Sequence, residues 1–317
     1  MNQLGLVPLP DEAVAPAPAG YWQNRGGVLV GGRWRDLISG INRDRLAFAG
    51  LSLVLFFVIV AVAAPFIAPA DPNLVDAVRR LEGPSATHIL GTDNLGRDLF
   101  SRLVWGSRWS LGTVFLATAM IMSIGVTVGT LAGYYGGWVD GVLMRVVDVL
   151  LAFPSLLLAL AIAGTLGPGI TSVIIALVSV WWASYARIVR GLVLSMRDRD
   201  FIQSARSLGA GDWHIIVRHV LPNVFPSIVV LATLEMGDLI LAVAGLGFLG
   251  IGVQAPAAEW GTMISESRAY LLTAPQLMIY PGLAISLAVI GFNLLGDGLR
   301  DVFDPRLVAT TANRPLA

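Results

Sequence analysis

The residues that could carry chemistry in this chain are few and lie far apart. The sequence has no cysteine, which excludes disulfides, thiol catalysis and cysteine-ligated metals. Its only histidines are His88, His214 and His219, and none has a second histidine at metal-ligand spacing on its own helix. Neither a G-x-S-x-G nor an H-E-x-x-H pattern occurs. We therefore expect no catalytic residue, no metal site and no cofactor bound by this chain.

Nucleotide binding by this chain is not expected either. Gly245, Gly247 and Gly250 fit the dinucleotide fingerprint G-x-G-x-x-G. That fingerprint needs a buried strand before it and a helix after it, whereas these glycines lie in a long apolar run, so we interpret them as helix-packing positions or a flexible break. All 21 basic residues are arginine, so a G-x-x-x-x-G-K-[ST] phosphate loop cannot occur in the sequence. Any ATP chemistry must belong to another chain.

Glu235 and Asp238 are the acidic residues with the most informative position. Both interrupt an apolar run long enough to cross a membrane, where a carboxylate is costly and usually faces a bundle interior or a water-filled path. Because they are three residues apart, they share one helix face. We interpret them as lining such a path or as pairing with a basic group of a partner. A structural hydrogen bond, or a position near the membrane interface, is the alternative.

The elements that position these residues are membrane helices. With 317 residues, 56% hydrophobic and 13% charged residues and a mean hydropathy of +0.74, the chain is far more apolar than a soluble domain. A helix of about 20 apolar residues crosses a hydrocarbon core of ~30 Å. The sequence predicts an all-α protein with six spans, at residues 46–70, 109–133, 145–165, 170–190, 225–250 and 276–295.

The sequence divides into four regions around these spans. Residues 1–42 are predicted to be a mostly disordered tail, and 43–108 hold the first transmembrane helix with an external segment. Residues 109–298 form a core of five transmembrane helices with a second external segment at 252–274, and 299–317 form a C-terminal tail. Fifteen of the 21 arginines fall on the side of the two tails, which the positive-inside rule identifies as cytoplasmic.

Two further patterns concern packing around the second span. Gly125, Gly129 and Gly133 recur at four-residue spacing, which predicts a close helix contact in lipid. On the outer side, three arginines lie close to the start of this span, and two nearby acids are predicted to pair with some of them. The arginines are Arg97, Arg102 and Arg108, and the acids are Asp93 and Asp98.

A polar stretch at residues 200–226 interrupts the apolar sequence. Its pattern predicts two short helices, at 201–208 and 213–220, with Gly209 in the left-handed conformation at the corner. Asp212 is the predicted N-cap of the second helix, and Pro222 is predicted to start a new element. The expected result is a small, rigid, L-shaped projection whose apolar face docks a partner.

This stretch resembles the cytoplasmic "EAA" loop of ATP-binding-cassette (ABC) importer permeases, a Glu-Ala-Ala followed by three residues, Gly, and then Leu-Pro after nine or ten more. The matching positions are Gln203, Ser204, Ala205, Gly209, Leu221 and Pro222. Gln203 and Ser204 stand where the pattern has Glu and Ala. The resemblance implies a coupling loop at residues 196–224, called the polar loop below, which inserts into a groove of an ATPase subunit.

Three other stretches are similar to one branch of these permeases, the second membrane subunit of dipeptide, oligopeptide and nickel importers. They are 91–98 continuing through 111, 248–254 followed by 260–261, and 293–301 followed by 304–306. Together with the polar loop they cover residues 45–307 in the family's order. The resemblance implies the type I ABC importer permease fold with six transmembrane helices and no enzymatic activity in this chain.

The resemblance also implies a function and partners. The chain is expected to form, with a second homologous permease, a translocation path for short peptides; nickel or another small solute is the alternative cargo. Two ATPase subunits that bind ATP and Mg²⁺, an extracytoplasmic solute-binding protein and membrane lipid are the expected partners, with no nucleic acid. The expected location is the bacterial inner membrane, with both termini cytoplasmic. A secondary transporter, from a different class, would need an internal repeat and an ion-coupling site, and the sequence has neither.

Two sets of site residues follow from this resemblance. Glu235 and Asp238 become candidates for the translocation path. The ATPase contact is assigned to nine residues of the polar loop, namely Gln203, Ser204, Ala205, Leu208, Gly209, Trp213, Ile216, Leu221 and Pro222.

Overall fold

The computed structural model describes residues 44–303, which fold as helices joined by short connections. The predicted tail at 1–42 and most of that at 299–317 lie outside the described residues. Apart from an isolated bridge between Thr92 and Asp98, the described part contains no β-structure, which confirms the all-α prediction. The helices are α1 Arg45–Ile67, α2 Leu99–Tyr135, α3 Gly137–Leu151, α4 Ser155–Leu166, α5 Ile170–Arg197, α6 Asp200–Ser207, α7 Asp212–Ile215, α8 Leu221–Phe248, α9 Trp260–Ser267 and α10 Gln276–Phe303.

Five helices are long and apolar enough to cross a membrane: α1, α2, α5, α10, and α7 with α8 as one continuous helix. The third predicted span, at 145–165, corresponds to α3 and α4, which are bent by 86° at a break. Counted as one span, this bent pair completes the six predicted spans. Pro154 explains the break, because proline disfavours helical geometry in the residue before it. With 12 residues, α4 is about 18 Å long, shorter than the hydrocarbon core.

The predicted glycine contact is confirmed between α2 and α5. Gly125, Gly129 and Gly133 face α5 so closely that any side chain there would overlap it. An added Cβ at the three positions would lie 2.6 Å from Cβ of Tyr185, 2.8 Å from Cβ of Val189 and 2.9 Å from Cβ of Val193, respectively. Since packing drives helix association in lipid, this seam fixes α2 and α5 against each other.

Helix α2 begins at Leu99, ten residues before its predicted start. Asp98 caps it, because the Asp98 carboxylate accepts a hydrogen bond from the Ser101 amide at 2.8 Å. The prediction failed because the charges at 97–108 indicated a segment in water. In the structure, Arg97 and Arg102 are each only 1% exposed and their charges are neutralised within the protein.

The neutralisation comes from a cluster of four charges, Asp93, Arg97, Arg102 and Glu266. Arg97 lies 2.6 Å from the Asp93 carboxylate and 2.7 Å from that of Glu266, and Arg102 lies 3.3 Å and 3.1 Å from the same two groups. The predicted pairing of Asp93 is thus confirmed, whereas Asp98 contacts His88 Nδ1 at 2.9 Å instead. Glu266 comes from the distant helix α9, so the cluster holds that helix against the start of α2.

The second external segment, predicted at 252–274, is packed among the helices. Trp260, the first residue of α9, is 1% exposed and donates through Nε1 to the Leu103 carbonyl at 3.0 Å. Glu259 caps α9 and also accepts from Ser110 Oγ at 2.9 Å. The segment is therefore fastened to α2 by hydrogen bonds as well as by the charge cluster.

We predict that Glu266→Gln lowers the melting temperature of the purified permease by several degrees. The substitution keeps the size of the side chain but leaves two buried guanidinium groups with one carboxylate, and breaking a buried ion pair costs about 3–5 kcal/mol; the partial exposure of Glu266 reduces this to about 1–3 kcal/mol. Asp76→Asn is the control, because the Asp76–Arg79 pair is exposed. Unfolding is measured by tryptophan fluorescence in detergent. Equal melting temperatures for the two variants would contradict the assigned role of the cluster.

Candidate functional site

The polar loop is seated on a hydrophobic core that joins it to the spans. Ile202 of α6, Ile215 of α7 and Ile216 of the following turn are all buried. They pack with residues of α2, α5 and α8, namely Tyr134, Val189, Val193, Val220, Val224 and Ile228. The lower face of both short helices is thus part of the membrane domain's packing, so the loop cannot move without moving these helices.

Tyr134, at the end of α2, joins the two short helices. Its hydroxyl donates to Asp212 Oδ1 at 2.8 Å and accepts from Arg206 Nη2 at 3.3 Å. The hydrogen bond to Tyr134 raises the pKa of Arg206, so this arginine stays charged. The prediction that Asp212 caps α7 is wrong, because the N-cap is Gly211 and Asp212 is used for the contact with Tyr134.

Gly209 forms the corner between α6 and α7, as the sequence predicts. Its φ of +84° is in the left-handed region, which costs other residues about 1–2 kcal/mol. A Cβ added at Gly209 would meet nothing within 4 Å. Within this chain the requirement for glycine therefore comes from the backbone alone, while the space beside it is open to a partner.

The outer face of the loop exposes large apolar side chains. Leu208 is 88% and Trp213 is 76% exposed, whereas Ile216 is 3% exposed. Ile216 is assigned to the ATPase contact from the sequence, but in the structure its side chain belongs to the core. The reason is the π-helical turn at Ile216–Val220, which shifts the register so that Ile215 and Ile216 both point inward. Among the other assigned residues, Gln203, Ser204, Gly209 and Pro222 are exposed, and Ala205 and Leu221 are partly buried.

Pro222 lies at the start of α8, as predicted, but α8 is not separate from α7. The residues from Asp212 to Phe248 form one continuous helix through the π turn. Pro222 directly follows this π turn, where the regular hydrogen-bond ladder is already interrupted. The second half of the polar loop is consequently the end of a membrane span.

Glu235 and Asp238 lie halfway along α8. Asp238 is exposed, and Glu235 is partly buried beside Tyr185 of α5. Within residues 44–303, neither carboxylate forms a salt bridge. The Tyr185 hydroxyl lies beside Glu235 as a hydrogen-bonding neighbour. The arginines of α5 are engaged elsewhere: Arg187 pairs with Asp148, and Arg190 pairs with Asp140. The structure leaves the two acids without a basic partner among its described residues.

The G-x-G-x-x-G pattern has no nucleotide-binding geometry. Gly245 and Gly247 lie inside α8, and Gly250 follows its end with a φ of +84°. Gly247 packs against α9, since a Cβ there would come within 3.2 Å of the Thr262 amide. This outcome agrees with the interpretation as helix packing.

Two tyrosines at these sites, Tyr134 and Tyr185, are not predicted from the sequence. Tyr134 gives no signal in sequence, because its two hydrogen-bond partners are 72 and 78 residues away. Tyr185 offers a weak one, since it carries a hydroxyl group in the uncharged run at 149–186. A polar group in such a run requires a partner or a role.

Comparisons with known proteins agree with this architecture. Residues 125–309 match the model of the binding-protein-dependent transport system inner membrane component, and residues 32–84 match the N-terminal transmembrane domain of oligopeptide transport permease C. Among solved structures, the chain is similar to the methionine ABC transporter in inward-facing conformations, with a TM-score of 0.54 and 20% identity over 65% of this chain and 98% of that one. At this identity the likeness shows the fold alone.

Similar proteins with assigned functions are permeases of three transport systems. The dipeptide transport permease of Alkalihalophilus pseudofirmus is 43% identical, covering 86% of this chain and 90% of the relative. The glutathione transport permease of Pectobacterium atrosepticum is 45% identical, covering 86% and 91%, and the nickel transport permease of Escherichia coli K12 is 46% identical, covering 83% and 95%. The chain therefore belongs to the family of multi-pass inner-membrane permeases of peptide and nickel ABC importers.

Proposed function

We propose that this chain forms one half of a translocation path and couples it to ATP hydrolysis through the polar loop. The second half is a homologous permease, two ATPase subunits bind ATP and Mg²⁺, and a solute-binding protein delivers the cargo from outside. The observation that carries the proposal is the exposure of Leu208 and Trp213 on a loop whose other face is buried in the core. Burying two such side chains against an ATPase contributes about 1.5–3 kcal/mol each.

The cargo we propose is a short peptide. Relatives that carry dipeptides or glutathione support this assignment, and a relative named for nickel transport makes a metal cation the second candidate. These three cargoes share one chemical property, since a peptide ammonium group and a nickel ion are both positively charged at neutral pH. Glu235 and Asp238, which carry the opposite charge in the middle of α8, are the proposed cargo-facing residues of the path.

The orientation we propose places both termini and the polar loop in the cytoplasm. The distribution of arginine supports it, since 15 of 21 lie on that side. In this orientation the polar loop meets ATPase subunits in the cytoplasm, and the segments at 71–98 and 252–274 face the solute-binding protein.

The orientation is tested with single cysteines, because the natural chain has none. Asp301→Cys, at the end of α10, is expected to react with a membrane-impermeant maleimide only in inverted vesicles. Ala86→Cys, in the exposed segment between α1 and α2, is expected to react only in right-side-out vesicles. The opposite pattern would place the polar loop outside the cell and remove the coupling proposal.

The docking surface is tested by Leu208→Ala and Trp213→Ala. Truncating a buried aromatic anchor costs about 2 kcal/mol, so we expect about 30-fold weaker retention of the ATPase for Trp213→Ala and a smaller loss for Leu208→Ala. The measurement is co-purification with the ATPase subunits at graded dilution. Val78→Ala, which truncates an equally exposed apolar residue far from the polar loop, is the control and should retain the ATPase fully. Undiminished retention by Trp213→Ala would rule out this contact.

The corner is tested by two substitutions at Gly209. Valine is strained at a φ of +84°, whereas asparagine tolerates it, and both have space within this chain. We expect Gly209→Val to insert normally but to lose most ATP-dependent uptake, and Gly209→Asn to retain more of it. Uptake is measured in vesicles at matched expression. Wild-type uptake by Gly209→Val would show that the corner is not needed for coupling.

A further inference from the structure

The midpoint of α8 presents a charge that the described chain does not balance. Two carboxylates, those of Glu235 and Asp238, lie one helical turn apart without a salt bridge to any basic side chain among residues 44–303. Carboxylates at this depth in a membrane protein are costly unless they face a partner or water. Something outside the described chain must therefore interact with them for at least part of the time.

Tyr185 adds a third oxygen to this place. Its side chain is 2% exposed, and its hydroxyl forms no hydrogen bond of regular geometry with the described residues. The hydroxyl lies beside Glu235 and close enough to both carboxylates to interact with their charges. If it donates to Glu235, its oxygen still has a free lone pair, so a ligand with several donors would complete the set.

Asn293 of α10 lies at the same level of α8, next to Gly237 on another face of the helix. Its side-chain oxygen lies where a Cβ on Gly237, between the two acids, would come within 2.7 Å. Asn293 is exposed, as is Asp238. Three helices thus contribute polar groups at one level: α5 a hydroxyl, α8 two carboxylates and α10 an amide.

The composition of this set favours one kind of ligand. Within the described residues, no group of three or more His, Cys, Asp or Glu side chains could hold a metal ion. An ammonium group has three donors, which matches two carboxylates and one phenolic oxygen. A basic side chain of a partner chain would reach the exposed Asp238 more readily than the buried Tyr185 hydroxyl.

We propose that Glu235, Asp238 and Tyr185 form a binding site for the ammonium group of the cargo as it passes the middle of the membrane. This assignment rests on the proposed function and deepens it, because it selects an amine-bearing cargo over a metal ion. The site is open through Asp238 and closed behind by Tyr185. It binds the charged end of the cargo and leaves the remainder in the path.

The test uses the assembled transporter, with its second permease and ATPase subunits, in lipid nanodiscs. A hydrophobic carbodiimide modifies membrane-embedded carboxyl groups, and mass spectrometry follows its reaction with Glu235. The probes are L-alanyl-L-alanine, its N-acetylated form, which lacks the ammonium group, and Ni²⁺. At about four times its dissociation constant, L-alanyl-L-alanine should slow the reaction about fivefold by mass action, while N-acetyl-L-alanyl-L-alanine and Ni²⁺ at equal concentration should not.

A matched pair of variants tests the hydroxyl. Tyr185→Phe removes one acceptor, so protection by L-alanyl-L-alanine should require a severalfold higher concentration. Tyr280 lies near the N-terminal end of α10, away from the site. Tyr280→Phe makes the same chemical change there and should leave protection as in the wild type. Equal protection in both variants would remove Tyr185 from the site.

Several results would overturn the proposal. Equal protection by the N-acetylated peptide would show that the ammonium group is not recognised, and protection by Ni²⁺ alone would assign the site to a metal cation. Absence of protection by every probe would mean that no cation binds. An unreactive Glu235 in the assembled transporter without a probe would mean that a partner chain already occupies the site.

A parallel measurement separates this proposal from the proposed function. The same transporter is reconstituted with its solute-binding protein, and ATP-dependent uptake is recorded together with ATPase co-purification. If uptake and co-purification are normal while protection is absent, only the ammonium site is refuted. If ATP-dependent uptake and ATPase co-purification are both absent, the proposed function fails, whether or not the probes protect Glu235.

Discussion

The burial of Ile202, Ile215 and Ile216 beneath the polar loop is the interaction on which the architecture depends. Two helices of eight and four residues are too short to be stable alone in water. They persist because their apolar faces join the core formed by α2, α5 and α8. This burial has a second effect, since side chains that cannot face inward are left outside. Leu208 and Trp213 are exposed for that reason, and they form the surface that we propose docks the ATPase.

The same helix that receives the polar loop is fixed at its other end by buried charge. The start of α2 carries Arg102, which is neutralised by Asp93 and Glu266, and its end carries Tyr134, which holds α6 and α7. Between them, the glycine seam presses α2 against α5. Helix α2 is thus the fixed axis of the molecule. We propose that α8, which continues directly from α7, takes up more of a displacement of the polar loop than α2 does.

Sequence reasoning succeeded where one residue type has one physical meaning. Uncharged runs predicted the spans, spaced glycines predicted the α2–α5 seam, and Gly209 predicted a left-handed corner. It failed where a distant partner changes the meaning of a residue. Arg97 and Arg102 are expected from the sequence to lie in water, because their partner Glu266 is more than 160 residues away in sequence. Asp212 is expected to cap a helix, because its partner Tyr134 is 78 residues away. The inward turn of Ile216 depends on a π turn that no local pattern predicts.

The continuity of α7 with α8 gives the polar loop a mechanical route to the acidic pair. Trp213 and Asp238 are on one helix, 25 residues and about 38 Å apart. Between them lie the π turn, Pro222 and Pro226, which interrupt the regular hydrogen-bond ladder and are the usual causes of helix bending. Bending concentrates there, so displacement of the loop becomes tilt of the remaining span. From Pro226 to Asp238 the span is about 18 Å long, so a tilt of about 10° displaces Asp238 by about 3 Å. An acidic pair placed on this helix therefore changes its surroundings whenever the loop moves, whereas the same pair on the fixed helix α2 would not.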